Sequence, residues 1–386
     1  MAVRLDQYRG REQSFIKHTF LTQYLQAAAY KTLQGRSPTF NFVDAFAGPW
    51  SVTAEDCSDA SFDQALRTLE AVRADLEGHG VTGLKIRFCF CERRPEAIAR
   101  LRDYAQRRSR FEIHVFPGSF EDNLTAIAEA CRDGFTFTFI DPTGWNVRSE
   151  PVFDFLKALR GEFLLNFMAE HVNRHAGCDQ VSASFGRFLA DPDWKDEFAT
   201  LSSDLNNEER VLSLLKRKIK SGGAAAYLPD IPILKPRENR IKMRLILGTH
   251  SLKGLEVFRD VQEKVELSEI QTRNTISEQK SNQPGLWSKV QESESQQLAS
   301  GVGSASHRDA SQRIVMDALA RGPSRFDGLA ALVMESRAMR LTHTKDLLNV
   351  MRQKGLVKFE LTAKTRKPQL DTMIIAADGR PYLPSA

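Results

Sequence analysis

Four polar side chains stand at the ends of apolar runs, where a chain can do chemistry. Asp44 closes FNFVD (40–44), and Glu92 closes LKIRFCFCE (84–92). Ser119 follows FEIHVFP (111–117), and Asp141, with Pro142 after it, closes FTFTFID (135–141). In an open parallel sheet, ligands bind outside the carboxyl ends of strands, where strand order reverses. A carboxylate placed like Glu92 can accept both hydroxyls of a ribose, and Ser119 is placed to meet an adenine edge. The turn after Asp44, Ala45-Phe46-Ala47-Gly48-Pro49, offers backbone N–H groups. The segment IDPTGW (140–145) then lies next to the place where chemistry would occur. The gap from Asp44 to Glu92 exceeds the ~20 residues of a dinucleotide fingerprint, and no G-x-G-x-x-G is present, so NAD is not expected.

The elements that must position these residues alternate. Residues 12–34 read as a helix, with Phe15, Phe20, Leu21, Tyr24, Leu25 and Ala28 near helical spacing. Strands at 40–44, 84–92, 111–117, 135–141 and 162–168 then alternate with helices at 61–78, 95–108, 120–133 and 149–160. Such alternation predicts an α/β fold, a parallel sheet with helices on both faces. Residues 178–228 interrupt it as a helical insertion carrying Phe185, Phe188, Trp194 and Phe198. The sheet is expected to resume at 241–250, followed by a helix at 252–266.

Residues 268–306 are polar and rich in Ser and Gln, and read as a linker. Helices at 308–322, 325–336 and 342–355, running into a β-ribbon with a return strand at 372–379, predict a winged-helix domain over 307–386. The first domain is expected to span 1–267. The 386 residues carry a net charge of +5. Residues 301–386 hold 14 Lys/Arg against 8 Asp/Glu, a net of +6, which leaves −1 for the first 300. The basic character therefore sits in the C-terminal segment and points to an acidic partner there, DNA or RNA. Lys345, Arg352 and Lys354 on the candidate recognition helix are expected to touch phosphates, and Lys364, Arg366 and Lys367 could add to them. Protein docking is the other use of such a module.

No apolar run reaches the ~18 residues of a membrane span, and the N-terminus lacks the apolar core of a signal peptide. Five thinly spread cysteines (Cys57, Cys89, Cys91, Cys131, Cys178) argue against a disulfide scaffold and for a reducing cytoplasm. Cys89 and Cys91 share a strand face without further ligands, so no metal site is expected.

The stretches FIKHTFLTQYL (15–25), VDAFAGPW (43–50), FCERRPEAIARL (90–101), FIDPTGW (139–145), FLLNFMAEHVNR (163–174) and LILGTHSLKGLEVFRDV (245–261) carry a resemblance over most of residues 12–266. Together they resemble the three-Cys-motif partner protein family, itself similar to class I S-adenosylmethionine-dependent methyltransferases. The family is named for cysteines in a partner that resembles radical S-adenosylmethionine enzymes. The resemblance implies a Rossmann-like methyltransferase sheet, S-adenosylmethionine as cofactor, and a cytoplasmic prokaryotic protein. It implies that Asp44, Phe46, Gly48 and Pro49 form the cofactor loop, with Asp44 near the methionine amino group, and that Glu92 holds the ribose. Asp141 and Pro142 would occupy the place of the Asp-Pro-Pro-aromatic motif of amino-methyltransferases, with Lys17 and His18 facing the same pocket.

In such a site the methyl group is already reactive, and the protein must align a nucleophile and remove solvent. An aspartate before proline supplies a carboxylate and a carbonyl with no competing N–H. Both can accept from an exocyclic amine, and Trp145 could stack on a flat base, as extruded bases are held. Methylation of a nitrogen on a nucleic-acid base is the expected reaction. The alternative is a non-catalytic subunit that binds the radical-enzyme-like partner or DNA. A metal nuclease is not expected, because Asp141 has no acidic companion in sequence. Two residues depart from the family: Trp50 stands where a second glycine is expected, and Thr143 where an aromatic or apolar residue is usual.

Overall fold

The computed structural model describes Tyr8 and residues 11–35, 37–48, 57–142, 144–145, 147–175, 182–235, 240–281, 301–361 and 365–377. Pro49, Trp50, Thr143 and Lys364 lie outside these residues. The chain divides into two compact units, Met1–His250 and Ser251–Ala386.

The first unit opens with helix α1 (Glu12–Leu33) and strand β1 (Thr39–Asp44). It continues through α2 (Ser61–Gly78), β2 (Lys85–Glu92), α3 (Pro95–Gln106), β3 (Glu112–Pro117), α4 (Leu124–Ala130), β4 (Phe135–Ile140), α5 (Ser149–Ala158) and β5 (Gly161–Phe167). Each element falls where hydrophobic patterning predicts it, within a few residues at its ends. Pro95 in the first turn of α3 needs no N–H partner there. Four helices, α6 (Ala169–His175), α7 (Ser182–Leu189), α8 (Trp194–Thr200) and α9 (Asn207–Ser221), precede β6 (Asp230–Leu234) and β7 (Ile241–Gly248). Helix α9 starts in a capping box, with Asn206 Oδ1 accepting from the Glu209 amide at 3.0 Å.

The seven strands form one sheet in the order β3-β2-β1-β4-β5-β7-β6. Strands β1 to β5 are parallel, and β7 runs antiparallel to both β5 and β6. This is a Rossmann-like sheet of methyltransferase type. Strand order reverses between β1 and β4, which opens a crevice at their carboxyl ends. Strand β6 has no counterpart in the sequence reading. It is short, contains Pro232, and pairs on one side only. An edge strand tolerates a proline that a central strand would not, and the proline hides the strand from pattern reading.

Across β1, β2 and β4 the two faces of the sheet are sorted by side-chain size. Phe42, Phe88, Phe90 and Phe137 are fully buried on the face covered by α1, α2 and α3, with Phe62 of α2 5.4 Å from Phe90 and Tyr24 of α1 5.7 Å from Phe137. The alternating residues Val43, Cys89, Cys91, Ile140 and Leu165 pack with α4, α5 and the α7–α9 helices. Two-residue periodicity thus places the phenylalanines of β1, β2 and β4 in one layer and smaller groups in the other, where β5 adds Phe163 and Phe167. Gly248 is required where β7 crosses β5, because a Cβ there would lie 2.0 Å from the Phe163 ring.

In the second unit, helix α10 runs from Leu252 to Ser281. The expected boundary at 267 lies inside this helix, as do residues 268–281 of the expected linker; residues 282–300 lie outside the described residues. Polar composition alone does not separate a solvated helix from a coil. Arg259 of α10 donates to the carbonyls of Met334 and Glu335 at 2.7 and 3.1 Å, and Arg340 pairs with Asp260 and Glu263. Three helices follow, α11 (Ala305–Leu319), α12 (Phe326–Ser336) and α13 (Leu341–Gln353). The strands β8 (Ser324–Arg325), β9 (Val357–Lys358) and β10 (Met373–Ala376) form an antiparallel sheet in the order β8-β10-β9. Among the described residues no helix is long and apolar enough to cross a membrane.

Replacing Gly248 with Ala forces the Phe163 ring to move. Overpacking of this kind costs about 1–3 kcal/mol, so urea denaturation of Gly248→Ala is expected to show a lowered midpoint. Gly248→Ala combined with Phe163→Leu is expected to recover part of the loss.

Candidate functional site

The carboxyl ends of β1, β2, β3, β4 and β5 converge on a cavity of about 640 Å³, within the size range of small-molecule sites. Lys17, His18, Phe46, Gly48, Glu92, Ser119, Asp141 and Pro142, eight of the residues expected from sequence, line it. They reach it from α1 and from four different strand ends.

At the β4 end the geometry is closed around Asp141. The Lys17 ammonium pairs with Asp141 Oδ2, and Asn166 Nδ2 donates to Asp141 Oδ1 at 2.6 Å. Burial pushes the Asp141 carboxyl up, but the Lys17 charge and the hydrogen bonds from Lys17 and Asn166 outweigh it and hold it below its ordinary value. Asp141 is therefore an anion at neutral pH with both oxygens oriented. Each oxygen still has a second lone pair for a ligand. Asn166 is 2% exposed, lines the cavity, and its Oδ1 has no hydrogen-bond partner among the described residues. A buried amide oxygen left in that state selects for a donor.

His18 is buried beside Lys17, and its Nδ1 lies 2.8 Å from the Tyr8 hydroxyl. Burial, then the Lys17 charge, lowers its pKa to about 3, so it is a neutral imidazole. Arg11 and Asp59 extend the network at 2.7 Å.

Asp44 is fully buried and lies beneath the loop; it is not among the residues that line the cavity. Its carboxylate accepts from Ser61 Oγ at 2.7 Å and from the Phe46 amide at 3.1 Å. Burial raises its pKa to about 7 against the lowering by these two donors. Glu92 Oε1 accepts from the amides of Arg93 and Arg94, both at 2.8 Å, which fixes the side chain at the start of α3. Gly118, at φ +114°, donates its amide to the Glu92 carbonyl at 2.9 Å and turns the chain at the β3 end. Ser119 faces the cavity with its hydroxyl donating to Asp122 at 2.6 Å.

Trp145 takes a different place from the other expected residues. Its ring stacks on Phe185 of α7 at 4.6 Å and 18°, and its Nε1 donates to Ser184 at 2.9 Å. It packs against α6 and α7 and is not among the cavity-lining residues. Lys345, Arg352 and Lys354 belong to the second unit. Lys345 is half-buried with its ammonium 5.8 Å over the Phe326 ring, Arg352 is exposed with its guanidinium 5.1 Å over the Phe359 ring, and Lys354 is exposed at the end of α13. Arg366 and Lys367 are exposed, and Lys367 pairs with Asp346 at 2.5 Å.

Sequence reasoning passed over Asn166, Ser61 and the Tyr8–Arg11–Asp59 group. Asn166 had a readable signal: one amide inside the apolar run FLLNF, at the same strand end as the other site residues. Ser61 and Asp59 have none, because only the packing of α2 against α1 brings them to the site. Among the described residues no group of three or more His, Cys, Asp or Glu could hold a metal ion.

No known protein family matches the chain, and no curated protein matches it either. Solved structures do. A Staphylococcus aureus protein classed as a candidate caffeoyl-CoA O-methyltransferase is 12% identical with a TM-score of 0.29, covering 58% of this chain and 81% of its own. Cofactor-bound Rv0187 from MTB is 12% identical with a TM-score of 0.31, covering 60% and 79%. Loganic acid methyltransferase with SAH is 11% identical with a TM-score of 0.31, covering 70% and 85%. At these scores the likeness carries no argument about activity. The methyltransferase-like fold of this chain rests on its own strand order.

The neutral, buried His18 sets an acid dependence. The unfolded chain takes up a proton at this residue near pH 6.5, whereas the native chain holds out to about 3. Its contribution to stability is complete above pH 6.5 and is lost as pH falls towards 3, at up to about 1.4 kcal/mol per pH unit. Urea titrations between about pH 4.5 and 8 are expected to show this slope in the wild type and a flatter one in His18→Gln.

Proposed function

We propose that the chain is an S-adenosylmethionine-dependent methyltransferase acting on a nitrogen of a nucleic-acid base, and that it belongs with the three-Cys-motif partner proteins. The observation that carries the reading is the Lys17–Asp141–Asn166 constellation at the β4 and β5 ends. It presents an anionic acceptor and an unfilled amide acceptor side by side. An exocyclic amine has two N–H groups to fill them, and doing so aims its lone pair away from both. Lys17 fixes Asp141 and keeps it ionised, which makes Lys17 a positioning residue. Pro142 contributes a carbonyl and removes a competing donor.

The residues at the other end of the cavity fit an adenosyl group. Glu92 has one oxygen committed to two amides, and its other oxygen makes no hydrogen bond with the described residues. Gly118 keeps the β3 end free of a side chain beside it, and the amide of Phe46 is held in place by Asp44. When bound, S-adenosylmethionine would supply the electrophilic methyl group. The protein's own part is to orient the acceptor and exclude water.

A second reading is favoured by the C-terminal unit. Met373 and Ile375 of β10 are 51% and 41% exposed while Ile374 between them is buried, so the central strand of that small sheet turns an apolar face outward. A winged-helix domain with such a face suits docking to a radical-enzyme-like partner. In that reading the first unit is a scaffold without methyl transfer.

Calorimetric titration with S-adenosylhomocysteine separates the two. Micromolar binding is expected for the wild type, with Glu92→Ala weaker by about 10–100-fold through loss of a charge-assisted hydrogen bond. Asp141→Ala is expected to bind the same ligand while its methyl transfer to nucleic acid falls about 100-fold or more. A folded wild type that binds neither S-adenosylhomocysteine nor S-adenosylmethionine would leave the scaffold reading standing instead.

A further inference from the structure

Resting on the methyl-transfer reading, we infer that Arg187 and Lys242 clamp a backbone phosphate of a single-stranded nucleic acid at the acceptor end of the cavity. The target base then enters beside Asp141. Both residues line the cavity, Arg187 from α7 and Lys242 from the start of β7. Neither makes an ion pair or hydrogen bond with the described residues, whereas Arg11, Lys17 and Arg148 of the same cavity each face a carboxylate. The register places them. Phe167, the last residue of β5, pairs with Arg244, so Lys242 lies two residues beyond the carboxyl end of β5. Arg187 precedes Phe188, whose ring stacks on Phe167 at 6.3 Å. Both cations therefore stand at the β5 rim, on the Asp141 and Asn166 side and away from Glu92.

Lys235 and Arg240 flank Lys242 on the β6–β7 connection, and each pairs with Glu170. The rim selects an anion, while the unfilled Oδ1 of buried Asn166, on the same cavity wall, selects an N–H donor. A ligand that satisfies both carries a phosphate and an amino group on one scaffold, as a nucleotide does. The rim is built from two elements, with one cation exposed and the other half-buried. That arrangement suits a backbone passing along the opening better than a phosphate enclosed with its base.

The test is fluorescence anisotropy of labelled single-stranded DNA and RNA on the full chain, across salt concentrations. It is run in a Lys345→Ala/Arg352→Ala/Lys354→Ala background, so that binding through the second unit does not mask the rim. Each phosphate contact contributes about 0.7 to the salt slope for single strands. Arg187→Ala/Lys242→Ala removes that one phosphate contact and is expected to lower the slope by about 0.7 and to weaken binding about 10-fold or more at low salt. Arg187→Lys/Lys242→Arg is expected to keep the slope, and S-adenosylhomocysteine binding is expected to be unchanged in both pairs.

An unchanged slope and affinity in the alanine pair would overturn the clamp. So would displacement of the strand by adenosine or cytidine monophosphate at equal affinity, which would make the ligand a free nucleotide. A wild type that binds S-adenosylhomocysteine but no strand overturns the clamp and leaves the methyl-transfer reading intact. A wild type that binds strands but no S-adenosylhomocysteine or S-adenosylmethionine removes that reading, and with it the clamp's placement beside a target base.

Discussion

The buried ion pair between Lys17 and Asp141 constrains the architecture of the site. A lysine ammonium inside a helix whose neighbours are Phe15, Ile16, Phe20 and Leu21 is costly to bury without a carboxylate beside it. That carboxylate comes from a strand end more than a hundred residues later in the chain. Helix α1 is thereby pinned across the sheet. Its second polar anchor is Tyr24, which donates to Glu162 at the amino end of β5 at 2.8 Å, with Thr249 donating to the same carboxylate at 2.6 Å. Seven helical residues, about 10 Å of rise, separate the two anchors, so one marks the functional end of the sheet and the other the opposite end.

From that pin the chemistry of the cavity follows. Lys17 keeps Asp141 ionised, adds to burial in holding His18 neutral, and orients a carboxylate whose other oxygen is held by Asn166. Asp44, equally buried, lacks a cation of its own and is stabilised by a hydroxyl and an amide, so it titrates near neutrality. Two aspartates at adjacent strand ends thus differ in charge state because one has a lysine and the other does not. Burial alone would raise both. Proximity to Lys17 decides which one is a permanent anion.

The parallel sheet was legible because its strands are short apolar runs punctuated by turn residues, and because FVD, FCE and FID place a carboxylate at three of the strand ends. Strand β6 was not legible, since Pro232 breaks the pattern that an edge position allows. The full length of α10 was not legible either, because residues 268–281 are polar along their length and periodicity offers nothing to read. Trp145 illustrates a different limit. A tryptophan next to a cavity loop is equally suited to stacking on a ligand or on a core aromatic, and Phe185, forty residues away in sequence, takes it.

The sequence by itself determined the α/β alternation, the carboxylates at the strand ends, and the basic bias of the C-terminal segment. These are local properties: residue periodicity, and residue type at a turn. The tertiary structure alone decided that Lys17 meets Asp141, that Asn166 leaves an amide oxygen unfilled in the cavity wall, and that Arg187 and Lys242 share a rim. The physical reason is that each depends on strand order. The sheet places β4 beside β1 and β7 beside β5, and no local pattern encodes which strands will be neighbours.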